Sequence, residues 1–165
     1  MVTLRPILPD DRERMLDILT DETVKQTYML PDFPNREAAA PLFLRLMEMS
    51  GDPAKYVRAI AVDDRLTGFL NHTEITESAI ELGYVIHPDC QGKGYMTQAL
   101  ALAIEELFSL GYRQIITGAF STNAASIRCM EKCGMERMEK TDEIHYRGKT
   151  HRCVYYSIEN RRKLC

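Results

Sequence analysis

The sequence predicts a mixed α/β fold in which one sheet and several helices form a single domain over residues 1–165. Three observations carry this. A chain of 165 residues suits one compact core. Between Thr97 and Leu110, apolar Ala99, Leu100, Ala103, Ile104, Leu107 and Leu110 recur at i, i+3, i+4 and i+7, the pattern of an amphipathic helix. Between Tyr56 and Ile86, three short alternating runs are separated by turn residues, the pattern of consecutive antiparallel strands.

Taken in order, Val2–Ile7 reads as a strand at the start or edge of the sheet, where a proline is tolerated. Asp10 or Asp11 is placed to cap a helix carrying Met15, Leu16, Ile18 and Leu19. The polar stretch from Asp21 to Pro34 is irregular. A second helix covers Ala38–Met49, with Pro41 in its first turn. Strands follow over Tyr56–Val62, Leu66–Ile75 and Ser78–Ile86, the first two joined by Asp63-Asp64. Gly111 ends the Thr97–Leu110 helix as a C-cap. Arg113–Phe120 is a strand, and Thr122 or Asn123 caps a helix to about Cys133 that Gly134 closes. Two last strands turn at Arg147-Gly148-Lys149. The order is β-α-α-β-β-β-α-β-α-β-β, or about seven strands and about four helices.

Composition narrows the function. The formal charge is −3, and the only basic cluster is the short Arg161, Arg162, Lys163 tail. Nucleic-acid binding, which needs a concentrated positive surface, is disfavoured. No apolar run approaches the ~20 residues of a membrane helix. The opening MVTLRPILPDDRERM lacks the apolar centre of a signal peptide, so the expected compartment is the cytoplasm. Five cysteines (Cys90, Cys129, Cys133, Cys153, Cys165) with no CxxC pair argue against a disulfide framework and against a metal site.

The stretch HPDCQGKGYMTQAL, His87 to Leu100, concentrates the functional signal. A Walker A loop would need a glycine at His87 and Ser or Thr at Gly94, and has neither. A dinucleotide fingerprint would need its third glycine at Thr97. What remains is a strand, a glycine-lysine loop and a helix N-terminus. The first amides of a helix lack internal partners, its dipole favours anions, and glycines let backbone close around a phosphate. The plainer alternative is an ordinary strand-to-helix connection.

ELGYVIHPDCQGKGYMTQAL, residues 81–100, resembles the acetyl-CoA-binding motif of the GNAT N-acetyltransferases, Q/R-x-x-G-x-G/A. Gln91, Gly92, Lys93, Gly94 and Tyr95 follow the pattern, and Met96 departs from its usual Gly or Ala. NAASIRCMEKCGM, residues 123–135, resembles that family's next block, with Gly134 in place and Met135 where an aromatic is usual. The wording of both blocks is similar to the RimJ/RimL-like branch. The resemblance implies a central, mostly antiparallel mixed sheet in one domain and acetyl transfer from acetyl-CoA to a primary amine by direct attack on the thioester. The acceptor would be a small-molecule amine or a protein N-terminus. A homodimer is possible.

By the same resemblance, the amides of Gly92, Lys93, Gly94, Tyr95, Met96 and Thr97 would hold the pyrophosphate, with Gln91 shaping the loop. Tyr84, Val85 and Ile86 would pair with the pantetheine arm, and Asn123 would contact it. Val85 and Ile86 serve equally as core residues, and Asn123 equally as a helix cap. The stretch Thr117-Gly118-Ala119 lacks the glutamate that some relatives use as base; alternation puts Glu81, Gly83 and Val85 on one strand face, so Glu81 is the expected catalytic base, and serves equally as a partly exposed glutamate at a strand start. Asp142, Glu143 and His145 are the runners-up. Met130 stands where many relatives have a tyrosine that acts as acid; Ser126, in the N-x-x-S spacing, is the candidate partner of the departing sulfur, its plainer alternative being helix filler near a cap. The missing groups also motivate another reading, a non-catalytic acetyl-CoA sensor or interaction module.

Overall fold

The computed structural model describes residues 1–161. Arg162, Lys163 and Cys165 lie outside the described residues. The predicted order is realised, with strands β1 (Val2–Arg5), β2 (Val57–Val62), β3 (Arg65–Ile75), β4 (Ala79–Ile86), β5 (Gln114–Phe120), β6 (Glu136–Tyr146) and β7 (Lys149–Glu159). The helices are α1 (Arg12–Thr20), α2 (Ala40–Ser50), α3 (Tyr95–Ser109) and α4 (Ala124–Lys132). The seven strands form one mixed sheet in the order β1-β2-β3-β4-β5-β7-β6. β1 with β2, β2 with β3, β5 with β7 and β6 with β7 run antiparallel, while β4 and β5 run parallel.

Boundaries differ from expectation where backbone chemistry overrides periodicity. β1 stops at Arg5, before Pro6, which has no amide to give a ladder. Asp11 does not cap α1 with its side chain. Its carboxylate instead takes a two-pronged bond from Arg5 (2.7 and 2.9 Å) and one from the Leu8 amide (2.8 Å). A 3-10 turn, Arg36–Ala39, precedes α2, started by the Asn35 side chain accepting from the Ala38 amide at 2.9 Å. α3 begins two residues earlier than expected, because the Gly94 carbonyl already accepts from the Gln98 amide at 3.3 Å. It ends at Ser109, and Leu110, expected on the apolar face, is 62% exposed.

The chain divides into two compact units. The first comprises Met1–His72 and Gly83–Ala99. Its core joins Leu16 and Leu19 of α1, Phe43 of α2, Leu66 and Phe69 of β3, and Val85 of β4. The second comprises Thr73–Leu82 and the chain from Leu100 onward. There Leu82, Leu100, Leu107, Ile115, Met130 and Val154 are buried.

One close approach in the first unit sets the course of β4. A Cβ on Gly68 would lie 2.2 Å from the Val85 carbonyl oxygen and 3.1 Å from the Ile86 Cα. Beyond it, the His87 amide donates to the Thr67 carbonyl at 2.7 Å. Burial along β4 also changes phase: Ile80 and Leu82 are buried, then Val85, an interval of three rather than two. Because the obstructing atoms are backbone, a methyl group at position 68 must push β3 and β4 apart. Gly68→Ala is expected to destabilise the fold by about 3 kcal/mol, a fall in Tm of roughly 10 °C. Thermal denaturation checks this, and an unchanged Tm would contradict the close approach.

Candidate functional site

The first unit holds the glycine-lysine loop. After β4, a 3-10 turn, Pro88–Cys90, leads into Gln91 and then two residues in the left-handed region, Gly92 (φ 76°) and Gly94 (φ 77°). An L side chain is strained in that conformation whatever space surrounds it. Open space does surround it, since a Cβ at either position would meet nothing within 4 Å. The sequence therefore uses glycine here for backbone conformation, not for room. The double reversal brings the chain directly into the first turn of α3, formed by Tyr95, Met96 and Thr97. Amides of a first turn have no carbonyl within their own helix to reach, and the helix dipole makes that end positive. Lys93, between the glycines, is exposed and has no carboxylate partner among the described residues. Gln91 is exposed at the entrance.

Upstream, Tyr84 and Ile86 are half-buried, and Val85 is buried within the core of the first unit. The ladder between β4 and β5 runs from Ala79↔Gln114 to Leu82↔Thr117, whereas β4 continues four residues further, to Ile86. The loop's approach is braced by a charged cluster that inspection of the sequence missed. Arg14 of α1 grips Asp89 with both terminal nitrogens, at 2.9 and 3.1 Å. The bond from Arg14 and a second from the Cys90 thiol hold the Asp89 carboxyl well below the usual carboxylate range.

The second unit holds the residues proposed for chemistry. Glu81, half-buried on β4, accepts a bond from the Thr73 hydroxyl at 2.5 Å through one carboxylate oxygen. Asn123 precedes α4 and its side-chain oxygen accepts from the Ser126 amide at 3.2 Å, so it is a helix cap. Ser126, in the first turn of α4, is half-buried. Met130 is fully buried, and the equally buried Thr117 hydroxyl points to its sulfur at 2.5 Å. Of the runners-up, Glu143 lies 3.8 Å from Arg152, and exposed His145 meets the Thr150 hydroxyl at 2.9 Å.

Asp142 has a side-chain partner across the β6–β7 pair. The hydroxyl of Tyr155, on the neighbouring strand β7, donates to Asp142 at 2.7 Å, and Lys140 sits 4.5 Å above the Tyr155 ring. Burial first, and then the bond to Asp142, push the Tyr155 phenol well above its ordinary value. It therefore stays protonated and acts as a donor. The alternation of β7 places Tyr155 two residues from Cys153, which burial likewise keeps a neutral thiol. The Cys133 thiol, hydrogen-bonded to free Cys129, is raised first by that hydrogen bond and then by burial, so Cys133 serves as a small apolar side chain rather than a thiolate.

Comparison with known proteins identifies the architecture. Residues 1–136 match the family model of the acetyltransferase (GNAT) domain. The chain belongs to the GNAT acetyltransferase family. A probable N-acetyltransferase of Bacillus subtilis strain 168, YjcK, is 33% identical over 81 residues, 47% of this chain and 45% of that protein. The matched part thus spans a little under half the length of that relative. Among solved structures, spermidine N-acetyltransferase from Vibrio cholerae, bound to CoA and spermine, superposes with a TM-score of 0.80 at 18% identity, covering 96% of this chain and 95% of that one. An acetyl transferase from Salmonella typhimurium that modifies the N-terminal serine of ribosomal protein L7/L12 gives 0.79 at 17% identity, covering 96% and 95%. At such identities the likeness is one of fold. Met130 is fully buried, so its side chain belongs to the core of the second unit.

Proposed function

We propose that this GNAT domain, working as one unit over its whole length, transfers an acetyl group from acetyl-CoA to a primary amine. The observation that carries the reading is the loop at residues 91–97. Two left-handed glycines, an unpaired lysine and a helix N-terminus follow one another without interruption, a combination suited to a pyrophosphate. Gly92, Lys93, Gly94, Tyr95, Met96 and Thr97 would donate backbone N–H groups, and Gln91 would shape the entrance. Met96 does not interfere, since only proline removes an amide donor. The segment Tyr84-Val85-Ile86, beyond the end of the β4–β5 ladder, would give backbone hydrogen bonds to the pantetheine arm, and Asn123 would add a side-chain contact. No metal enters the scheme.

In the proposed reaction the amine nitrogen attacks the thioester carbonyl carbon directly. A C–N bond forms, the C–S bond breaks, and the sulfur leaves as thiolate. An amine of ordinary pKa near ~10.4 must first lose a proton, and Glu81 would take it through a water. The thiolate would take a proton with the help of Ser126 or of solvent, since a thiol's pKa of about 8.5 makes solvent sufficient. The carboxylates of Glu139, Asp142 and Glu143 on β6 favour a cationic acceptor. A polyamine, as in the Vibrio enzyme, is therefore the first acceptor to test. A serine-initiated peptide, as for the Salmonella enzyme, is the second. Placement in the RimJ/RimL-like branch, a cytoplasmic location and a homodimer belong to the same proposal. The sensor alternative draws on buried Met130, and CoA binding with no turnover on either acceptor would favour it.

Calorimetry with acetyl-CoA is expected to show tight binding by the wild type and a loss of tenfold or more in Gly94→Pro. Proline cannot adopt the positive φ of Gly94 and lacks an amide. Equal binding by both folded proteins would contradict the loop assignment. Separately, Glu81→Gln is expected to lower kcat about 10²-fold on the better acceptor and to leave acetyl-CoA affinity unchanged. An unchanged kcat would remove Glu81 from the chemistry.

A further inference from the structure

We infer that Arg14 is a positioning residue for coenzyme A: its guanidinium neutralises and immobilises Asp89, the carboxylate two residues ahead of the pyrophosphate loop. The inference rests on the loop reading above. Asp89 is a liability at this place. A carboxylate beside a site meant for a polyanion repels it, and a mobile one also loosens the backbone leading into the loop. The structure answers both problems with one side chain. Arg14 is held by its Nε–H, which donates to the Leu66 carbonyl at 2.8 Å. Its two terminal nitrogens then bond both Asp89 oxygens, and one also reaches the Cys90 sulfur at 3.3 Å. Four contacts on a planar fork fix orientation as well as charge. Arg65 adds a second cation at 3.6 Å from Asp89.

The other flank is anchored through His87, which is 8% exposed. Its Nε2 lies 3.0 Å from Asp17 and its Nδ1 lies 2.7 Å from Asp89. Asp17 is in turn bonded by Arg36 at 2.6 Å. The sequence of contacts Arg36–Asp17–His87–Asp89–Arg14 lies wholly within the first unit. It ties the turn Pro88–Cys90 to α1, so the loop starts from a fixed point.

The test compares two ligands that differ in the part the loop would hold. Coenzyme A carries the pyrophosphate and pantetheine does not. Their dissociation constants are measured by calorimetry and by NMR titration, for wild type, Arg14→Ala, Arg14→Lys and the double variant Arg14→Ala/Asp89→Asn. Arg14→Ala is expected to weaken coenzyme A at least tenfold and pantetheine less than twofold. The double variant is expected to regain threefold or more, because no uncompensated carboxylate is left. Arg14→Lys keeps the charge without the fork, and is expected to fall between wild type and Arg14→Ala, again for coenzyme A alone; it carries the test if Arg14→Ala does not fold. Equal losses on both ligands, or a double variant no better than Arg14→Ala, would overturn the inference and make Arg14 a structural residue only. Equal affinity of the wild type for the two ligands would instead remove the loop reading on which the inference stands.

Discussion

A backbone can hold a polyanion only if several amides point the same way, and an ordinary extended or helical chain does not arrange them so. The anion site proposed for this chain depends on two left-handed residues, Gly92 and Gly94, separated by one lysine and followed at once by a helix. The rest of the first unit serves that turn. Gly68 lets β3 lie against the Val85 carbonyl, which fixes where β4 ends. His87, Asp89 and Arg14 then hold the chain between β4 and the turn. The loop is exposed, yet both its ends are tied to buried structure. An exposed loop that keeps its shape loses less entropy when a ligand arrives.

The second unit is organised by neutral hydrogen-bond donors around carboxylates. Thr73 donates to Glu81, and Tyr155 donates to Asp142. Cys153 and Tyr155 are both kept protonated by burial. In the proposed function, a surround of neutral donors and carboxylates suits a cationic amine better than an anionic one. Met130 fills core space beside Thr117, and a larger polar ring there would need a different packing of α4. The chemistry proposed for this chain accordingly places its base on β4 and asks little of an acid.

Much of the architecture was legible in the sequence because hydrophobic period and turn residues agree. The alternation from Tyr56 to Ile86 and the helical stripe from Ala99 to Leu107 gave element type and order without ambiguity. The glycine loop was legible because two glycines around a lysine serve no packing purpose. Boundaries were less legible. Tyr95 and Met96 are half-buried and break no apolar pattern, so the start of α3 is set by the Gly94 carbonyl rather than by side chains. The Arg14–Asp89 pair was hidden because its partners lie 75 residues apart and each alone is an ordinary surface charge. The Tyr155–Asp142 pair was hidden for another reason. Counting outward from the turn pairs Asp142 with Cys153, and Tyr155 is its diagonal neighbour two residues on, a contact that direct cross-strand pairing does not give.

The central claim is that the amides of residues 92–97 bind the pyrophosphate of coenzyme A. The most direct measurement is a backbone amide NMR spectrum of the intact protein with coenzyme A and, separately, with pantetheine. The account predicts large shifts at Gly92, Lys93, Gly94, Tyr95, Met96 and Thr97 with coenzyme A, and none at those positions with pantetheine. Shifts from coenzyme A that leave all six amides unmoved would contradict it.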